Sequence, residues 1–219
     1  MRALARFAAA GLVLGLAARP ATAQLVYNPT YFTPNSGTGL TVAGDFGDQV
    51  SPSTAKGTSF NVRGELGLPM INVGIGLGSF KPDGGSSTMN FEGNAGLTLM
   101  SLPLSGMSLS AHAAVGYWSS SGTNSMTVPV GLTLGIKPPS PGVSLEPWVS
   151  LRVQYTNVSA GGFSANTTKF GGSAGLNVGL PMGLGFHGAL DYLNISGGAP
   201  FTIGLGVHYT FSVPGLSGV

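Results

Sequence analysis

The three histidines of this chain, His112, His187 and His208, carry the side chains best suited to chemistry. All three take the polar positions of segments in which apolar and polar residues alternate. His187 and His208 lie on consecutive segments, so with Asp191 they are candidates for a metal site or a proton-transfer pair. Two histidines without a firm third ligand are weak support for a metal. We therefore interpret them as ordinary polar groups of an interior, and predict no metal, no cofactor and no catalytic residue.

Charged residues within the alternating segments also take the polar positions. With the histidines they form one set of predicted lumen-lining residues: Asp45, Arg63, Glu65, Glu92, His112, Glu146, Arg152, Lys169, His187, Asp191 and His208. Both signs are present, so these groups can pair if the segments enclose a common space. Two interpretations stay open: the charges line a narrow selective channel, or they form a salt-bridged plug. The channel lining would be Arg63, Glu65, Glu92, Arg152 and Lys169.

The segments that must position these side chains have a period of two. In FNVRGELGL, residues 60–68, apolar residues fall on one face, and Asn61, Arg63 and Glu65 fall on the other. Such alternation is typical of β-strands. We predict ten strands, with eight as the alternative, at about 40–47, 58–68, 71–80, 88–100, 107–118, 125–136, 143–157, 167–180, 183–193 and 200–211.

The connections between these strands alternate in character. Polar stretches rich in Gly, Ser, Asn and Thr occupy 48–57, 81–87, 119–124, 158–166 and 194–199. The other connections are mostly shorter and carry proline. Long loops alternating with tight turns predict an all-β fold, a closed antiparallel up-and-down barrel. Pro129 and Pro147 fall inside predicted strands, where each removes a ladder hydrogen bond, so we expect bulges there or later strand starts.

The polar face of the strands is too small and too uncharged for a soluble exterior. On residues 200–211 it consists of threonine, glycine and His208, which suit a narrow interior. Aromatic residues gather near the polar-loop ends and predict a girdle at a lipid–water interface: Phe46, Phe60, Phe80, Phe91, Tyr117, Tyr155, Phe170, Tyr192 and Phe201. The apolar face therefore contacts lipid, and the strands must close on themselves because lipid offers no hydrogen-bond partners.

The chain divides into four parts. Residues 1–23 combine a basic start, a short apolar run and Ala21-Thr22-Ala23, which is typical of a secretory signal peptide. Residues 24–39 are an N-terminal lead-in, 40–211 the barrel and 212–219 a C-terminal extension.

Composition excludes several classes of function. Loss of Arg2, Arg6 and Arg19 with the leader takes three of nine basic residues and none of the seven acidic ones, so the net charge becomes −1. No basic patch for nucleic acid remains. The chain has no cysteine, so it forms no disulfides.

The last strand, FTIGLGVHYTF, places aromatic and aliphatic residues on one face and ends on Tyr209 and Phe211. With the leader and the alternating segments of about ten residues, it resembles the small outer-membrane β-barrel proteins of Gram-negative bacteria. The resemblance implies an outer-membrane location, lipid as a partner, and recognition of Tyr209 and Phe211 by the barrel-assembly machinery during biogenesis.

Function is less specified than fold. We predict a non-enzymatic barrel that gives narrow passive passage to small solutes. A closed barrel with a structural or surface-interaction, adhesin-like role is the alternative. The resembled family also includes lipases, acyl-transferases and proteases, so a rim enzyme acting on lipid or peptide is a third possibility. No Ser, His and Asp arrangement can be assembled from spacing in this sequence.

Overall fold

The computed structural model describes residues 27–31, 38–50, 56–102, 104–138, 140–194 and 200–213. The predicted leader and most of the C-terminal extension lie outside the described residues. The described residues form ten strands: β1 (Gly39–Gln49), β2 (Gly57–Gly67), β3 (Ile71–Pro82), β4 (Thr88–Leu102), β5 (Met107–Ser120), β6 (Thr123–Ile136), β7 (Ser144–Ala160), β8 (Phe163–Gly179), β9 (Leu184–Leu193) and β10 (Phe201–Phe211). A short 3-10 turn, Pro181–Gly183, precedes β9.

Each strand pairs antiparallel with its neighbours in sequence, and β1 pairs with β10 to close the barrel. The predicted closed up-and-down barrel of ten strands is therefore confirmed, and the eight-stranded alternative is wrong. We call the end that carries the β2–β3, β4–β5, β6–β7 and β8–β9 connections the turn end, and the opposite end the loop end. Among the described residues no helix is long and apolar enough to cross a membrane.

The two faces of the barrel wall differ in polarity. Along β7, Ser150, Arg152 and Gln154 are buried. Between them Leu151 and Val153 are exposed, Leu151 at 75%. The same alternation recurs in other strands, with polar groups inside and aliphatic or aromatic groups outside. This is the reverse of a soluble barrel and the arrangement of a barrel that faces lipid.

Two of the predicted long loops are tight turns instead. Ser121 and Gly122 connect β5 to β6 with φ of 49° and 77°, and Gly161 and Gly162 connect β7 to β8 with φ of 57° and 86°. Positive φ at both central residues is typical of the type I′ hairpin turn. The predictions of loops at 119–124 and 158–166 were wrong because the strands continue through polar residues.

Neither strand proline produces a bulge. Pro129 of β6 pairs with Gln154 of β7. The hydrogen-bond ladder from β6 to β5 is interrupted beside Pro129, so the missing N–H of the proline removes no further hydrogen bond. Pro147 lies beyond the last β6–β7 pair, Gly135 with Trp148. The register shift falls elsewhere, between Thr98 and Met100 of β4.

The outward position of Leu151 allows a direct test of the lipid-facing surface. Leu151→Arg should lower the free energy of unfolding by about 2–4 kcal/mol, because a guanidinium near the bilayer midplane loses its hydration. Urea unfolding in lipid vesicles measures the change. Ser164→Arg, in the polar β7–β8 hairpin, is the matched control and should cost little. Equal stability of the two variants would contradict a membrane position for Leu151.

Candidate functional site in the barrel lumen

All eleven predicted lumen-lining residues take the inward-facing positions of their strands. The buried ones are Asp45, Glu92, His112, Glu146, Arg152, His187 and Asp191. The partly buried ones are Arg63, Glu65, Lys169 and His208. Eight of the nine predicted girdle aromatics point outward. Phe80 was assigned wrongly, because it is only 5% exposed and packs inside the lumen.

The first group of lumen charges, which we call the Asp45 cluster, joins Asp45, Arg63, His187 and His208. Arg63 donates to both carboxylate oxygens of Asp45, from Nε at 2.6 Å and from Nη2 at 3.0 Å. His187 Nε2 lies 2.5 Å from Asp45 Oδ1. The two-pronged contact combines charge with geometric fit between the neighbouring strands β1 and β2, and His187 extends the cluster to β9, two strands from β1.

The histidine pair predicted from sequence does come together, with a different carboxylate. His187 Nδ1 and His208 Nδ1 are 3.0 Å apart, so one nitrogen donates to the other. The carboxylate bonded to His187 is Asp45 rather than the predicted Asp191. Asp45 reaches it because β1 closes against β10, which brings the first strand next to the last two.

The second group, the Asp191 cluster, is more deeply buried. Arg152 donates to Asp191 Oδ2 at 2.9 Å and to Oδ1 at 2.8 Å. Ser173 Oγ donates to Asp191 Oδ2 at 2.6 Å. The two charged side chains are 0% and 1% exposed, so each compensates the charge of the other in a space that water reaches poorly.

The lumen also contains a piece of the N-terminal lead-in, residues 27–31, which we call the lumen segment. Its side chains are at most 5% exposed. The backbone N–H of Thr30 donates to Asp191 Oδ2 at 3.1 Å, and Ser59 Oγ donates to the carbonyl of Tyr27 at 3.0 Å. Nothing in the sequence predicted this position, because the segment has no strand periodicity.

Aromatic contacts hold both ends of the lumen segment. The ring of Tyr27 meets the ring of Phe80 edge-on at 5.8 Å, and Phe80 meets Trp118 at 5.6 Å. At the other end the ring of Tyr31 lies 4.8 Å from the His187 ring and 4.8 Å from Arg63 Cζ. The segment therefore joins the aromatic group near the loop end to the Asp45 cluster.

Three glycines make room for the lumen segment. A Cβ atom on Gly47, Gly57 or Gly204 would lie within 3.0 Å of residues 27–31. Gly44, which faces outward on the strand next to Gly204, has no atom within 4 Å of the same position. The inward glycines thus shape a groove on β1, β2 and β10 that fits an extended chain.

Several buried polar atoms in the lumen have no hydrogen-bond partner among the described residues. They include Asn61 Oδ1, both side-chain polar atoms of Asn90, Glu92 Oε1, Ser125 Oγ, Thr133 Oγ1 and Thr202 Oγ1. Folded proteins leave few such atoms without a partner, and ordered water normally supplies it. The lumen therefore has several places that suit bound water, some of them on strands next to the ion pairs.

Below the Asp45 cluster the lumen widens into a cavity of about 250 Å³ that opens at the turn end. Its lining includes Arg63, Glu65, Lys137, Glu146 and His208. We call it the turn-end cavity. Arg63 and His187 form its inner limit, directly beneath Tyr31 of the lumen segment.

No protein-family model and no curated protein matches this sequence. Solved structures do match. The β-domain of the Bordetella autotransporter BrkA gives a TM-score of 0.54 at 14% identity, over 80% of this chain and 100% of that one. The translocator domain of autotransporter NalP from Neisseria meningitidis gives 0.45 at 14% identity, over 81% and 90%. The N-terminal β-barrel domain of Pseudomonas aeruginosa OprF gives 0.40 at 15% identity, over 80% and 100%.

At these identities the likeness concerns the fold. The polar lumen, the apolar exterior and the closed ten-stranded sheet define the class: a small β-barrel of the bacterial outer-membrane type.

Proposed function

We propose that this protein is a closed outer-membrane barrel, exported by its leader, whose role is structural or lies in surface interaction. The observation that carries the proposal is the lumen segment. Residues 27–31 are buried inside the barrel and contact both charge clusters, through Thr30 to Asp191 and through Tyr31 to Arg63. A chain segment and two ion pairs leave little free cross-section in a barrel of this strand number.

The loop end offers a surface suited to interaction. The β7–β8 hairpin extends past the end of β9 at the loop end, because β8 pairs with β9 only from Gly171 to Gly179. Residues 163–168 of β8 are all exposed, with Phe163 at 47%. Extended, polar and exposed strand residues of this kind are typical of sites that pair with or contact other molecules.

The test is single-channel conductance of the protein purified from outer membranes, with folding checked by the gel shift between heated and unheated samples. We expect a folded protein that shows no discrete conductance steps in a planar bilayer, since residues 27–31 block the lumen. A general porin measured in the same bilayers is the control. Reproducible steps from the wild-type protein would contradict the closed state.

Narrow passage of small uncharged solutes is the second candidate. It is favoured by the polar atoms of Asn90, Glu92 and Thr133 that have no hydrogen-bond partner among the described residues, because such atoms can bind a single file of water molecules. Swelling of proteoliposomes in glycerol separates the two roles. A rim enzyme is less supported, since His187 and His208 lie in the lumen and bond Asp45 and each other.

A further inference from the structure

The turn-end cavity contains two charged groups that are not engaged in ion pairs. Glu65 accepts a hydrogen bond from Asn72 Nδ2 at 2.7 Å and forms no close ion pair among the described residues, although Arg63 on the same strand face attracts its charge. Lys137 uses its backbone N–H to reach the Gly106 carbonyl at 2.8 Å, and its ammonium has no partner in the described part of the chain. Both side chains line the cavity.

The two groups lie on opposite walls. Glu65 is on β2, and Lys137 directly follows β6. Around the barrel, β2 and β6 are separated by three strands in one direction and five in the other. A single ligand that satisfies both groups must therefore carry a negative charge at one end and a positive charge at the other.

The other charged side chains that line the cavity are either hydrogen-bonded to another charged group or buried. Arg63 is engaged by Asp45 through two hydrogen bonds. Glu146 is only 4% exposed and lies beside the amide of Asn177. The remaining wall includes neutral polar groups, among them Thr41 and Thr210, whose hydroxyl oxygens are 2.9 Å apart.

We propose that the turn-end cavity binds a small zwitterion of amino-acid size, with its carboxylate at Lys137 and its ammonium at Glu65. The volume of about 250 Å³ is below that of cavities for drug-sized ligands, which begin near roughly 300 Å³. Opposed free charges across a partly enclosed space favour a ligand of matching polarity over one that carries a single charge. The cavity opens on the side away from the lumen segment, so binding does not depend on whether the barrel conducts.

The test is titration calorimetry on the detergent-purified protein with three probes of similar length: 4-aminobutyrate, butyrate and butylamine. We expect 4-aminobutyrate to bind at least about tenfold more tightly than either singly charged probe, because only 4-aminobutyrate can pair with both Lys137 and Glu65. Comparable affinity for all three probes, or no binding of 4-aminobutyrate to protein that passes the gel-shift check, would overturn the proposal.

Two variants locate the site. Glu65→Gln and Lys137→Met should each weaken binding of 4-aminobutyrate by about tenfold or more. Lys137 is exposed, so its replacement carries little risk to folding. Lys81→Met and Asp83→Asn, at the loop end, are the matched controls and should bind like the wild-type protein. Unchanged affinity in either cavity variant, or an equal loss in the controls, would remove this assignment.

Discussion

Replacing Asp191 with alanine should lower the free energy of unfolding by about 3–5 kcal/mol, the largest single-residue loss that we expect. The change leaves the guanidinium of Arg152 in the lumen without a counterion, and both side chains are essentially unexposed. It also removes the acceptor for Ser173 Oγ and for the backbone N–H of Thr30. Three elements therefore lose a common contact: β7, β8 and the lumen segment.

Urea unfolding in lipid vesicles measures this loss. The double variant Arg152→Met with Asp191→Leu should recover much of the stability, because it removes both charges instead of one. Asp83→Ala, on the exposed β3–β4 turn, is the control and should change little. A loss under about 1 kcal/mol for Asp191→Ala, the size typical of surface ion pairs, would show that the lumen is much wetter than the burial indicates.

If the barrel is closed as proposed, replacing residues 27–31 with Gly-Ser-Gly-Ser-Gly should convert it into a conducting one. The replacement removes both tyrosine rings and Pro29, the bulk that fills the groove on β1, β2 and β10. Flexible glycine and serine residues pay a large entropic cost to stay ordered in the lumen, and they bury little surface in return. We expect discrete conductance steps at least about tenfold above the wild-type baseline, measured in planar bilayers at equal protein.

Matched variants separate loss of the lumen segment from damage to the barrel. In Gly204→Val the new side chain would point into the lumen and clash with Pro29 and Tyr31, so the change should displace the lumen segment and raise conductance. Gly44→Val, facing outward on the next strand, should stay silent, as should Tyr27→Phe, which keeps the ring. A folded protein that remains silent after replacement of residues 27–31 would show that the ion pairs alone close the lumen.

The number of strands, and which residues of each strand point into the lumen, were predictable because both depend on the local alternation of apolar and polar residues. Period-two alternation identified ten strands, and the polar positions of Asp45, Arg152 and Asp191 are inward in the structure. Strand ends were less predictable where both faces are polar. Residues 158–160 and 163–166 do alternate, but only in pieces of three and four residues on either side of Gly161 and Gly162, so the β7–β8 hairpin resembled a loop.

Partners within the lumen depended on strand register and, for the contact of His187 with Asp45, on closure of β1 against β10. The bonds from His187 to Asp45 and from Arg152 to Asp191 join residues distant in sequence, and barrel register decides which of the available carboxylates each group meets. Phe80 was assigned to the girdle by residue type alone. Its position on β3 has the parity of the inward residues Asn72 and Gly78, so its ring points into the lumen and packs against Tyr27 and Trp118.

The sequence by itself determined the class of fold, because lipid outside and a narrow lumen inside impose opposite polarity on alternate residues of every strand. Only the tertiary structure decided that residues 27–31 enter the lumen. That segment has no periodicity, and it is held by contacts such as Thr30 with Asp191 and Tyr31 with Arg63, which exist only once the ten strands have closed.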